Sequence, residues 1–183
     1  MTPEELAACL GIPLARAQTW ADPLSASMAL YAIDSPQRQA AFIAQIGHES
    51  GRLIYVRELW GPTPAQERYE GRLDLGNTEK GDGFKFRGRG LIQVTGRANY
   101  QRAGAALNLP LEDHPELLEQ PDNAAQSAAW FWNTNGLNLP ADMMDFETIT
   151  RRINGGLNGY DDRVTLYKSC MTTLGIEWSD SWH

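Results

Sequence analysis

At 183 residues, with 42% hydrophobic side chains and six each of Trp and Tyr, the chain has enough apolar material for one domain with a real core and is not disordered. Its formal charge of −7 argues against non-specific nucleic-acid binding, which needs clustered Lys and Arg, and no run of about 18 apolar residues offers a membrane span. Two cysteines, Cys9 and Cys170, make neither a zinc site nor a disulfide framework; two buried free thiols are expected, with a bridge between them left open. The opening MTPEELAACLGIP is acidic and lacks the basic stretch of a secretory signal. The chain is therefore expected to be made in the cytoplasm, and to depend on something else for release if it acts outside.

In chain order, residues 3–9 and 13–20 read as two short helices. Asp22-Pro23 reads as a break, followed by a helix over about 24–33. The stretch from Ser35 to Glu58 is the centre of the pattern. Ser35 is a good N-cap and Pro36 fits N1. Ala40, Phe42, Ile43, Ala44, Ile46 and Gly47 make the next turns apolar almost all round, as in a helix packed inside a domain. His48, Glu49 and Ser50 close it and Gly51 stops it. Leu53, Tyr55 and Val56 suggest a short extended return. Residues 64–72 read as a surface helix, and 73–90, with five glycines, as a loop or small irregular sheet. Thr95 is expected to cap a helix through about Leu107. Short helices follow at 115–119, from an Asp122 cap through Asn133, and at 145–153. Asn154-Gly155-Gly156 is a tight loop. The last helix, about 161–174, sets Val164, Tyr167, Met171 and Leu174 on one face before Gly175. The prediction is one mostly α domain over 1–183, with irregular backbone at 51–94 and 134–160.

Burial at a helix end penalises a charged carboxylate, so Glu49 is a candidate proton donor; a solvated residue of the last turn is the competing reading. Glu58 follows nine residues later. On a continuous helix it would lie roughly 13–14 Å away on the opposite face, but a return after Gly51 would bring it across from Glu49. Two carboxylates flanking a cleft are what glycoside hydrolysis uses; the competing reading is a surface Glu58 paired with Arg57 or Arg52. In the segment 84–100, Gly88 and Gly90 allow close backbone approach. Gln93, Thr95, Asn99 and the Tyr100 ring suit sugars, although a glycine-rich turn into a helix would read the same. The third glycine of a dinucleotide fingerprint is replaced by Gln93, and no Walker lysine follows. His48-Glu49 does not continue as HExxH, because position 52 is Arg52. With only His114 and His183 besides, no metal centre is expected. Asn154 either presents its amide to a cleft or belongs to a plain turn.

Taken together, GHES at 47–50, GRGLIQVTGRANY at 88–100, INGG at 153–156 and DRVTLYK at 162–168 resemble the ordered motifs of glycoside hydrolase family 19, the fold of plant-type chitinases. The stretch ELWGPTPAQERYEGRLDLGNT at 58–78 is more similar to its compact phage and prophage branch, the endolysins. The match covers about 38–175. The resemblance implies a lysozyme-like α-helical domain with a catalytic cleft and a small irregular or β segment near 52–90. It implies Glu49 as general acid, Glu58 as general base and Thr95 as a second holder of the attacking water. Substrate contacts would come from His48, Gln93, Asn99, Tyr100 and Asn154, with Arg163 behind the carboxylates. The family inverts, so a carboxyl separation of about 6.5–9.5 Å is implied, with neither metal nor cofactor. The chitin-binding module, disulfides and several outer loops of the plant enzymes are absent. A pared-down cleft favours peptidoglycan over chitin, although an acidic protein is mildly mismatched to an anionic wall. The expectation is a monomeric peptidoglycan hydrolase that cleaves β-1,4 bonds between amino sugars for host lysis, released to the wall by a separate holin-type protein. A chitinase, a lytic transglycosylase and a non-catalytic wall-binding module are the alternatives.

Overall fold

The computed structural model describes residues 1–177; His183 lies outside them. The described residues form ten α-helices, and local sequence accounts for most of their ends. Helix α1 (Pro3–Leu10) starts in a capping box between Thr2 and Glu5 and stops at left-handed Gly11. Helix α2 (Leu14–Leu30) runs straight through the expected break and carries Pro23 inside it. Its buried residues Ala17, Trp20, Ala21, Leu24, Ser27 and Met28 keep helical spacing across the proline, so packing of that face outweighs the one backbone bond a proline removes.

Helix α3 (Pro36–Glu49) begins as expected, with Ser35 accepting from the Arg38 amide at 3.2 Å. Every residue from Ala40 to Gly47 is buried. It packs against α1, α8 (Asn138–Asp142) and α10 (Tyr160–Thr173), while α2 packs on α1 and α7 (Pro121–Thr134). Phe42 and Trp132 meet edge to face, centroids 5.5 Å apart, in the middle of this core. Cys9 and Cys170 are buried free thiols where α1 meets α10, and burial pushes the Cys170 thiol well up.

Between α3 and residue 96 the chain is largely irregular, as expected. Two single-turn helices, α4 (Pro64–Glu67) and α5 (Asp82–Lys85), and a 3-10 turn at 73–75 interrupt it. The expected return strand is reduced to isolated antiparallel bridges, Arg57 with Arg89 and Arg89 with Val94. Helix α6 (Arg97–Leu107) is capped by Gly96, at φ 89°, and not by Thr95, because the Thr95 hydroxyl donates to the Gln93 carbonyl instead, at 2.9 Å. Pro121 at N1 likewise moves the α7 cap from Asp122 to Gln120. Helix α8 forms inside a stretch expected to be irregular, and α9 (Phe146–Asn154) starts where Asp145 caps the Thr148 amide. A second, smaller core of Phe86, Val94, Tyr100, Ala103, Leu107, Leu111 and Leu118 backs the irregular segment.

Candidate active site

The end of α3 sets the first acid. Ser50 donates to the Ile46 carbonyl at 2.6 Å and accepts from the Leu53 amide at 2.9 Å. Gly51, Arg52 and Leu53 are all left-handed, with φ of 57°, 60° and 62°. Two of these are non-glycine residues, a conformation held only when its surroundings enforce it. Here the Arg52 amide donates to the Gly47 carbonyl at 2.6 Å, the Arg52 guanidinium pairs Asp162 at 2.6 Å, and Leu53 is buried. The chain leaves the helix axis in one turn.

It then runs antiparallel to residues 88–90. The Glu58 amide donates to the Gly88 carbonyl at 2.8 Å, and the Gly90 amide to the Val56 carbonyl at 2.9 Å. These bonds replace the expected strand and are enough to fix Glu58. Its carboxylate accepts from the Gly88 amide at 3.0 Å, from Gln66 Nε2 at 3.0 Å and from the Tyr69 hydroxyl at 3.4 Å. Burial and the Glu58 charge push the Tyr69 hydroxyl up, keeping it a donor. The surface pairing of Glu58 with Arg57 or Arg52 does not occur: Arg57 pairs Glu119 and Arg52 pairs Asp162. Gly88 is also the point on which two further side chains converge. A Cβ at Gly88 would lie 2.5 Å from Gln93 Oε1 and 3.3 Å from Thr95 Oγ1, so a side chain there would displace the Gln93 amide from beside the Glu58 partner.

Glu49, with its side chain 21% exposed, pairs with Arg163, 3% exposed, at 2.5 Å. Arg163 also donates to Gln45 Oε1 at 2.5 Å and the Asn158 carbonyl at 3.2 Å, and Gln45 donates on to Thr150 at 2.7 Å. Arg163 thus reaches Glu49 but makes no bond to Glu58, and Glu49 Oε2 carries no hydrogen bond among the described residues. The two acids are held by different parts of the molecule, Glu49 by Arg163 of α10 and Glu58 by Gly88 together with Gln66 and Tyr69.

The remaining sequence-predicted residues separate. His48 Nδ1 lies 2.7 Å from Asp162, and its ring fills the space a Gly159 side chain would need. Burial pushes the Asp162 carboxyl up, but the bonds from Arg52 and His48 outweigh it and hold the group below its usual range. Gln93 donates to the Gly90 carbonyl at 3.0 Å, and Asn99 to the Thr95 carbonyl at 2.7 Å. Both, with Thr95, line a cleft of about 340 Å³ whose opposite wall is Trp130, Phe131, Thr134 and Asn135 of α7 and its end. Tyr100 is a correction. It has no exposed surface and offers no face to a sugar. Its hydroxyl donates to the Arg87 carbonyl at 2.7 Å and accepts from Arg89 at 3.0 Å, and burial pushes it up to about 12. Asn154 is half-buried and spends its side chain on its own loop: Nδ2 donates to the Asn158 carbonyl at 3.0 Å, and Oδ1 accepts from the Gly156 amide at 3.1 Å.

The glycoside hydrolase 19 family, described as chitinase class I, matches residues 32–144. The chain belongs to glycoside hydrolase family 19. It is 36% identical over 163 residues to a glycosyl hydrolase family 19 domain-containing protein of Haemophilus influenzae, covering 74% of this chain and 80% of that one. An endochitinase of Arabidopsis thaliana is 38% identical over 144 residues, 75% of this chain but 48% of the relative, so the family 19 chain spans about half the plant protein's length. Chitinase C from Streptomyces griseus has a similar fold, with a TM-score of 0.76 at 25% identity, covering 95% of this chain and 76% of that one.

Sequence reading of this family 19 chain missed Gln66, Gln45 and Asp162. Gln66 is the most consequential. Besides Glu58, its Nε2 donates to the Leu59 carbonyl at 2.7 Å, and its Oε1 accepts from the Gly61 and Thr63 amides. The capping-box spacing Thr63-x-x-Gln66 was available as a signal, but it points to a helix start and not to a carboxylate. Trp60, two residues after Glu58 in the chain, meets Phe84 edge to face with centroids 5.4 Å apart.

Proposed function

We propose that this family 19 glycosidase is a peptidoglycan hydrolase, cutting the β-1,4 bond between amino sugars by single displacement. Glu49 donates a proton to the leaving oxygen. Glu58, helped by Thr95, activates a water for attack from the opposite face. The observation that carries the two-acid assignment is the separate anchoring of the carboxylates. Glu58 accepts three hydrogen bonds beside Thr95 and Gln93, the setting of a group that takes a proton from water. Glu49 keeps one unbonded oxygen at the end of a rigid helix. Arg163 positions Glu49, and Gln93 and Asn99 meet the glycan. In the same reading the enzyme is monomeric, acts on the wall, and leaves the cytoplasm through a separate holin-type membrane-permeabilising protein.

The choice of polymer is supported by the likeness of 58–78 to the endolysin branch. Chitin is the second reading, favoured by the names of the relatives, endochitinase and chitinase C. Mass spectrometry and anomeric NMR of products from purified murein and from chitin oligomers separate the two. Reducing muramyl or glucosaminyl ends with inverted configuration are expected from murein. Anhydro ends, or turnover of chitin alone, would refute the proposal. Glu49→Gln is expected to lower kcat by roughly 10²–10⁴ while sedimenting with sacculi as wild type does. If wild type and this variant bind sacculi equally and neither solubilises them, the chain is a binding module.

A further inference from the structure

The cleft beside Thr95 carries a charge that an unsubstituted sugar chain does not call for. Ile92, Val94, Trp130 and Phe131 give it an apolar wall, and Arg102 stands on its edge. Among the described residues eight of the thirteen arginines form ion pairs with carboxylates, and Arg102 is the one of the other five that lines this cleft. Arg102 forms none among the described residues and bonds only the neutral Asn99 amide oxygen. In a chain with a net charge of −7, an unneutralised cation over an apolar floor marks one place where an acidic group is welcome. The volume, about 340 Å³, is that of a small-ligand pocket. Gln93 and Thr95 belong both to this cleft and to the convergence at Gly88, where Glu58 is held, so a group in the cleft is connected to the glycan at the reaction centre.

Resting on the peptidoglycan reading above, we propose that this cleft receives the peptide stem of the substrate, with Arg102 pairing a stem carboxylate and the Trp130 wall covering its small apolar side chains. Chitin, uncharged and without stems, has no carboxylate to offer Arg102. A guanidinium–carboxylate pair in a partly enclosed cleft gives both strength and direction. Arg102 is therefore a specificity-determining residue for the glycan and not part of the two-acid machinery.

The test compares kcat/KM on soluble murein fragments with stems intact, on the same fragments after amidase removal of the stems, and on chitin oligomers. Wild type is expected to prefer stemmed over stripped fragments by about tenfold or more, chiefly in KM. Arg102→Ala should bring that ratio near one, and Arg102→Lys should restore part of it. Thr134→Glu, on the exposed opposite wall, should lower the ratio independently by repelling the carboxylate. If Arg102→Ala slows stemmed, stripped and chitin substrates in equal proportion, the cleft is a sugar subsite and the inference fails. If wild type cuts stemmed and stripped murein at one rate, the inference fails while the peptidoglycan reading stands. Failure to cut either murein form while cutting chitin removes both.

Discussion

Gln66 does more for the candidate base than any residue in contact with it except Gly88. One side-chain nitrogen serves Glu58 and the Leu59 carbonyl, and its oxygen ties down the Gly61 and Thr63 amides. Gln66→Ala frees the carboxylate to rotate and unties the turn that precedes α4. A displacement of about an ångström at a reacting group costs up to 10²-fold, so kcat is expected to fall roughly ten- to hundredfold with KM little changed. Stability should fall by only about 1–2 kcal/mol, read from urea unfolding. An unchanged kcat would show that Tyr69 and Gly88 suffice to orient Glu58. Gln66 is also a lesson in legibility. Glu49, Glu58 and Thr95 stand out in the sequence because their chemistry is suggestive, whereas a glutamine inside a capping box has its local duty already accounted for. Tyr100 fails in the opposite sense. A tyrosine beside glycines and amides reads as a sugar platform, but nothing local says that its ring is the centre of the second core.

At the level of elements, the irregular segment depends on a few buried ion pairs in place of extended strands. Asp82 at the start of α5, 2% exposed, accepts both Nε and Nη2 of Arg97 on α6 at 2.8 and 2.6 Å, and the Glu79 amide at 3.0 Å. The Arg97 guanidinium holds the Asp82 carboxyl below the usual carboxylate range. A depressed folded-state value means the pair stabilises fully above the unfolded-state value, about 4, and loses that contribution as pH falls through the lower folded one. Asp82→Asn is therefore expected to cost about 2–3 kcal/mol at pH 7. The gap from wild type should shrink steadily below about pH 4, seen in guanidinium denaturation at a series of pH values. A gap independent of pH would assign the loss to packing alone. Helix α2 makes the complementary point. Pro23 has a strong local preference to break a helix, but the apolar stripe on both sides of it belongs to one packed face, and the face prevails.

Across the whole molecule, the N-terminal helix is part of the frame that carries Glu49. Leu10 of α1, 1% exposed, packs where α1 passes α3. A Cβ at Gly47 would lie 2.5 Å from Leu10 Cδ2 and 3.4 Å from Leu166 Cδ1, so a glycine lets three helices meet within two residues of the acid. Leu10→Ala opens a cavity at that junction and is expected to cost about 2–5 kcal/mol, measured as a lowered midpoint in thermal or urea unfolding; a loss under about 1 kcal/mol would mean the junction collapses to fill the space. What the sequence alone determined is the placing of helices α1, α3, α6, α7, α9 and α10 to within about two residues, the irregular character of 51–94, and the family motifs. Caps, prolines and apolar period act over a few residues and can be read from a few residues. What only the tertiary structure decided is how the acids are held. Arg163 meets Glu49 across 114 positions and Gly88 meets Glu58 across 30. Such pairings follow from which faces bury together, a property of the packed molecule that no local stretch of the chain encodes by itself.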